Sequence, residues 1–185
     1  MLFRSVLKEF EFTTLLDNMS FAFRFADKEL AEILDARRML EIGAIRWSIE
    51  RITPEEIKLL EKSLNMMGTD IDSLEIQAKG DLLFHKTLIH AAKNEIIENF
   101  GSILDKFFRL VGPVVERGGA SKKEYEFILR EHERMLNLIK EKRIDEMTEL
   151  LSEHLSRYEQ LFERNGKNSS LTLNDLEICS AIDKL

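Results

Sequence analysis

Four side chains in this sequence have the types and spacing of a metal site: Asp81, His85, His132 and His154. Asp81 and His85 stand at i and i+4, a common arrangement for two ligands on one helix face. Projected at about 100° per residue, the same face carries Leu74, Ala78, Phe84, Leu88 and Ala92. His132 lies amid Tyr125, Ile128, Leu129, Met135, Leu136 and Ile139, and His154 amid Met147, Leu150, Leu151, Tyr158 and Leu161. Each apolar stripe should face a core, so one carboxylate and three imidazoles are predicted to point inward. A buried, unpaired carboxylate is costly, and the usual remedies are a hydrogen-bonded cation or a metal.

Spacing also sets the heights. His132 and His154 lie equally far before and after Arg143, the centre of a short turn at Lys142-Arg143-Ile144. In an antiparallel hairpin, residues equidistant from the turn come level, here roughly 16 Å from it at about 1.5 Å rise per residue. Two helices thus offer one histidine each, and a third offers the Asp/His pair. Three neutral imidazoles and a carboxylate suit one divalent transition metal, Zn, Ni, Mn or Fe, with room on an octahedral ion for water or a ligand carboxylate. Taken singly, each histidine also reads as a hydrogen-bonded core residue, with Asp81 paired to one of them. The fourth histidine, His90, projects about 180° from Asp81 and is predicted to face solvent.

Arg37 is a second anomaly, set between Ile33, Leu34, Leu40 and Ala44 on an apolar stripe. Two readings stand: an i,i+4 salt bridge to Glu41, or a guanidinium facing the metal cavity and ready to take a carboxylate in bidentate fashion.

The elements that must position these groups are helices. One is predicted over about 27–51, on a stripe that includes Leu30, Ile45 and Ser48. Thr53-Pro54-Glu55-Glu56 supplies an N-cap, a first-turn proline and a capping-box glutamate for a second. A third starts near Asp72 to Glu75 and runs to about Ala92. Asn94 caps a fourth, which ends around Gly112-Pro113. Ser121-Lys122-Lys123-Glu124 opens a fifth with another capping box, and the last long helix ends near Asn165-Gly166. Residues 1–26, rich in phenylalanine, read as a further packing helix or a dimer segment. Residues 167–185 read as a polar linker and a short terminal helix. The predicted fold is an all-α antiparallel bundle of about six to seven helices with a central metal site, over residues 1–166.

Composition agrees. The chain has 185 residues, 44% hydrophobic and 33% charged, with 8 glycines and 2 prolines, too few turn formers for an all-β fold. The net charge of −7 disfavours direct nucleic-acid binding by this chain. A single cysteine, Cys179, fits a reducing compartment, and the N-terminus has no continuous apolar run for a leader or membrane span. The expected setting is cytoplasmic.

The segment Leu34-Asp35-Ala36-Arg37-Arg38-Met39-Leu40-Glu41, followed by Thr53-Pro54-Glu55-Glu56, resembles the start of the C-terminal effector (FCD) domain of FadR-type GntR transcription regulators. So do Asp81-Leu82-Leu83-Phe84-His85 with Asn94 downstream, Glu131-His132, and Glu153-His154-Leu155. The resemblance spans about Lys28 to Arg164 and implies an all-α bundle that senses small organic acids. In the metal-binding branch an Asp and three His hold the ion, which implies metal ligands Asp81, His85, His132 and His154. It further implies effector contacts at Arg37 and Asn94, a small carboxylate effector and a homodimer. Two departures stand out: Ala92-Lys93 where the family usually has Ser-Gly, and Arg143 where its hairpin turn typically has Asp. Family members also carry an N-terminal winged helix-turn-helix. The 26 residues before Asp27 contain none, so DNA would be read only through a module absent from this chain. The competing readings are a metal-dependent enzyme on a helical bundle and a dimerising interaction module. Against the enzyme, the sequence has neither an HExxH pair nor the Glu-x-x-His pairs of di-iron bundles. Glu131 and Glu133 flank His132 but project off the ligand face.

Overall fold

A computed structural model describes residues 27–69, 73–102 and 121–166. Six helices lie in these residues: α1 (Asp27–Arg51), α2 (Pro54–Thr69), α3 (Leu74–Ala91), α4 (95–102), α5 (Lys122–Lys140) and α6 (Ile144–Gly166). No strand occurs among the described residues, as the all-α reading expects. None of these helices is long and apolar enough to cross a membrane. The expectations for residues 1–26, for the helix end at Gly112-Pro113 and for residues 167–185 lie outside the described residues.

Local chemistry sets the helix starts. The first amides of a helix lack partners within it, and short polar side chains supply them. At α2, the Glu56 amide donates to Thr53 Oγ1 at 3.2 Å, while the Thr53 amide donates to Glu56 Oε2 at 2.9 Å. Ser121 and Glu124 make the same reciprocal pair at α5. Ser73 is the N-cap of α3, and Asn94 Oδ1 accepts from the amides of Ile96 and Ile97 at the start of α4. Two non-glycine residues hold left-handed backbone: Lys142 in the α5–α6 turn, at φ 56°, and Lys93 between α3 and α4, at φ 52°. Such a φ costs a β-carbon-bearing residue roughly 1–2 kcal/mol. The Lys93 ammonium bonds the buried carboxylate of Glu56, which helps hold it there.

The helices close into a ring: α1 packs on α3, α3 on α2, α2 on α5, α5 on α6, and α6 back on α1. Ile45 and Ile49 of α1, Leu60 of α2, Phe84 and Leu88 of α3, Met135 and Ile139 of α5, and Met147 and Leu151 of α6 fill the middle. Polar ties fix neighbours in register. Ser48 Oγ donates to the Leu88 carbonyl at 2.7 Å, Arg51 Nη1 to the Ala92 carbonyl at 2.6 Å, and Arg38 Nη2 to Ser152 Oγ at 3.1 Å. Where α2 meets α3, a β-carbon on Gly80 would lie 2.5 Å from Met67 Cγ and 2.9 Å from the Ser63 carbonyl oxygen. The missing side chain lets the two helices approach, one residue before Asp81.

Candidate metal centre

The four residues singled out by spacing come together. One ligand atom from each of Asp81, His85, His132 and His154 lies within 4.8 Å of all the others. The three histidines are buried, while the Asp81 side chain keeps 20% of its surface exposed. His132 and His154 are level across the α5–α6 hairpin, ring centroids 4.6 Å apart and nearly perpendicular. This follows from their equal distances from the turn. Phe84 stands edge-on to His132 at 4.7 Å, an apolar wall on one side. His90, by contrast, is exposed and pairs with Glu98 at 2.7 Å, as its projection away from the core predicts.

The outward nitrogen of each imidazole is occupied. His85 Nδ1 meets Glu41 Oε2 at 2.5 Å, His132 Nδ1 meets the Ile128 carbonyl at 2.9 Å, and His154 Nδ1 meets Glu131 Oε2 at 3.1 Å. A carbonyl oxygen and an ionised carboxylate only accept, so each Nδ1 carries the proton. Burial opposes ionisation of Glu41, but His85 and Arg37 outweigh it and draw its pKa down to about 2. Burial pushes His85 down, and His154 down to about 4, which favours the neutral rings. A neutral imidazole with its proton on Nδ1 offers a lone pair at Nε2. The Nε2 atoms of His85 and His132 face each other at 3.3 Å. Asp81 Oδ1 adds a negative oxygen 3.3 Å from His132 Nε2 and 3.7 Å from His85 Nε2. Burial works against the charged form of Asp81 as well, and the Arg37 guanidinium, 3.8 Å away, works for it.

This donor set fits a divalent cation. First-row ions bind such atoms at about 2.0–2.2 Å, which sets neighbouring ligands about 3.0–3.5 Å apart, close to the 3.3 Å and 3.7 Å separations found among Asp81, His85 and His132. Carboxylate or carbonyl acceptors behind each histidine are the arrangement that orients rings and raises their basicity toward a metal. Glu41 and Glu131 supply two of the three acceptors. Sequence reasoning placed Glu41 only as a partner of Arg37, and that bond is present at 2.6 Å. It set Glu131 aside as projecting off the ligand face. Glu131 does leave that face, but it meets α6, where it is buried and holds both His154 and Arg157. One signal was available: Glu131 comes nearly level with His154 when the hairpin is folded.

Arg37 makes the salt bridge to Glu41 and also stands beside the cluster. It is buried, bonds Glu41 through Nε, and brings Nη2 to 3.8 Å from Asp81 Oδ2. Asn94 caps α4 through its side-chain oxygen.

The FCD domain family model matches residues 32–157 of this chain. The chain is 29% identical over 93 residues to the HTH-type transcriptional regulator LutR of Bacillus subtilis, covering 50% of this chain and 42% of that protein. It is 25% identical over 154 residues to the HTH-type transcriptional repressor NanR of Klebsiella aerogenes, covering 83% of this chain and 58% of that protein. The chain therefore spans about half the length of the curated relatives it matches. With the match running from α1 through α6 and taking in every member of the Asp/His cluster, the chain belongs to the FCD domain family, the effector domains of GntR-type transcription regulators.

Proposed function

We propose that this domain holds one divalent transition metal, Zn, Ni, Mn or Fe, on Asp81 and the Nε2 atoms of His85, His132 and His154. The ion anchors a small carboxylate effector. The observation that carries this reading is the convergence of four buried or half-buried ligand atoms within 4.8 Å of one another, two imidazole Nε2 atoms among them facing each other at 3.3 Å. A bound ion supplies Lewis acidity and open coordination positions. Arg37, beside Asp81 on the border of the cluster, supplies a planar guanidinium suited to a carboxylate. Asn94 is the second effector contact in this reading, on family resemblance alone. Effector binding shifts the helices, and a DNA-binding module outside the described residues reads that shift. The resemblance also implies a homodimer, which light scattering of the purified chain tests directly.

Metal analysis is expected to find about one equivalent per chain, lost in His132→Ala. A metal-free protein whose stability is unchanged by His132→Ala would sink the four-ligand site. Thermal shifts with a panel of small organic acids are expected for the native chain and not for Arg37→Ala. If both proteins respond equally, Arg37 is not the effector contact. Turnover of a carboxylic acid by the metal-loaded protein would favour the enzyme reading instead.

A further inference from the structure

The outer side of the α5–α6 hairpin carries a feature that the metal centre does not use. A cleft of about 320 Å³ is lined by Arg130, Arg134 and Arg157, with Phe127, Leu150, Glu131 and Glu153 beside them. In a chain with 34 acidic and 27 basic residues, three arginines against two glutamates in one cleft still run against the overall charge. Arg130 and Arg134 are exposed and stand four apart on α5, a like-charge spacing that is unfavourable on its own. Neither has a hydrogen-bond or ion-pair partner among the described residues.

Arg157 is held differently. Its Nη2 donates to Glu131 Oε1 at 2.5 Å, and its guanidinium lies 4.8 Å over the Phe127 ring. Its Nε–H is buried with no acceptor. Buried donors are normally satisfied, so this guanidinium is only partly used where it stands. The other oxygen of Glu131 is taken by His154, so Glu131 has little charge left to offer the cleft.

We propose that this cleft binds a phosphate group of a small metabolite, between Arg130, Arg134 and Arg157. Guanidinium groups bind phosphate and carboxylate oxygens in pairs. A tetrahedral dianion presents enough oxygens for three of them, whereas a monocarboxylate fills one. The cleft exceeds the phosphate itself in volume, which leaves Phe127 and Leu150 to meet an organic remainder. The site lies outside the ring of helices and does not depend on the metal reading. An anion that draws Arg157 outward leaves Glu131 bonded to His154 alone.

Isothermal titration of the full chain with inorganic phosphate, and separately with glycerol phosphate, tests this. Three proteins are compared: native, Arg130→Ala/Arg134→Ala, and Asp81→Asn. Both arginines are exposed, so the double variant keeps its fold, which circular dichroism checks. Binding is expected in the native chain and in Asp81→Asn, and at least about tenfold weaker in the arginine variant. Tighter binding of glycerol phosphate than of phosphate identifies an esterified ligand, and the reverse a free ion. Three results overturn the proposal: no heat from either ligand at millimolar concentration, equal affinity in the arginine variant, or binding lost only in Asp81→Asn, which would put the anion at the metal centre.

Discussion

Two histidines on α3, five residues apart, meet carboxylates at similar distances and do different things. His85 lies 2.5 Å from Glu41, and His90 lies 2.7 Å from Glu98. His90 is half exposed, and its partners Glu98 and Glu56 satisfy it against solvent. His85 is 2% exposed, its outer nitrogen is fixed by Glu41, and its inner nitrogen points at His132 and Asp81. Proximity of a histidine to a carboxylate therefore does not define a site. What separates the two is what the second nitrogen faces: the Glu56 carboxylate, 3.5 Å from a half-exposed ring, at one, and another ring nitrogen with Asp81 in a dry interior at the other. Exposed polar contacts of this kind contribute little, about 0–1 kcal/mol. A buried donor cluster is unfavourable until something positive joins it.

The largest expected effect breaks this contrast directly. His132→Ala should abolish metal retention and with it the stabilisation by bound metal, about 4 kcal/mol when the ion is at 1,000 times its dissociation constant. His90→Ala should change neither, as read by metal content and melting temperature. Equal loss in both variants would erase the distinction.

Next in size is pH. Burial lowers the pKa of His154 from 6.5 to about 4 in the fold, and that of His85 in the same direction. A base with a depressed folded pKa stabilises the fold above its unfolded value, and that stability is lost as pH falls toward the folded one. Chelator-treated protein should therefore lose about 3 kcal/mol between pH 6.5 and pH 4. Denaturant melts across that window provide the check, and a flat profile would mean that the imidazoles are hydrated in the metal-free state.

Glu41→Gln should weaken metal affinity by about 10- to 100-fold, since an amide orients the ring less well than a carboxylate. Glu98→Gln, the same change beside His90, should leave affinity unaltered. Competition with a chromophoric chelator measures both. The smallest effect concerns two glycines rather than two histidines. Gly80→Ala forces a β-carbon against Met67 and the Ser63 carbonyl, and should cost about 1–3 kcal/mol. Gly43→Ala meets nothing within 4 Å and should add up to about 1 kcal/mol through helix propensity. Urea midpoints distinguish them.

Much of the fold was legible because the helix starts are local. Thr53 with Glu56, Ser121 with Glu124, and Asn94 need only their own neighbours to act as caps. The convergence of His132 and His154 was legible for a related reason: a short turn converts sequence distance into height. The orienting groups were harder to find. A helical projection says which way Glu131 leaves α5, but not that α6 lies there to meet it. Likewise the projection gave Glu41 a partner within its own helix, while its second oxygen reaches across to α3. Contacts between helices depend on how the ring closes, and no single stripe encodes that. Lys93 is an intermediate case. It stands where the family usually has glycine, and its φ of 52° gives the physical reason for a glycine there. Its ion pair with Glu56 could not be read from either segment alone.

The closed circuit of α1, α3, α2, α5 and α6 has a mechanical consequence. An open row of helices can absorb a displacement at its free end, but in a loop each rod is braced on both sides. Turning α1 relative to α3 obliges α6 to re-seat, and through it α5. Movement in such a frame is collective and nearly all-or-none, because packed interfaces slip between discrete settings rather than bend. Spectroscopic reporters placed on α2 and on α6, on opposite sides of the loop, should then share one midpoint in an effector titration.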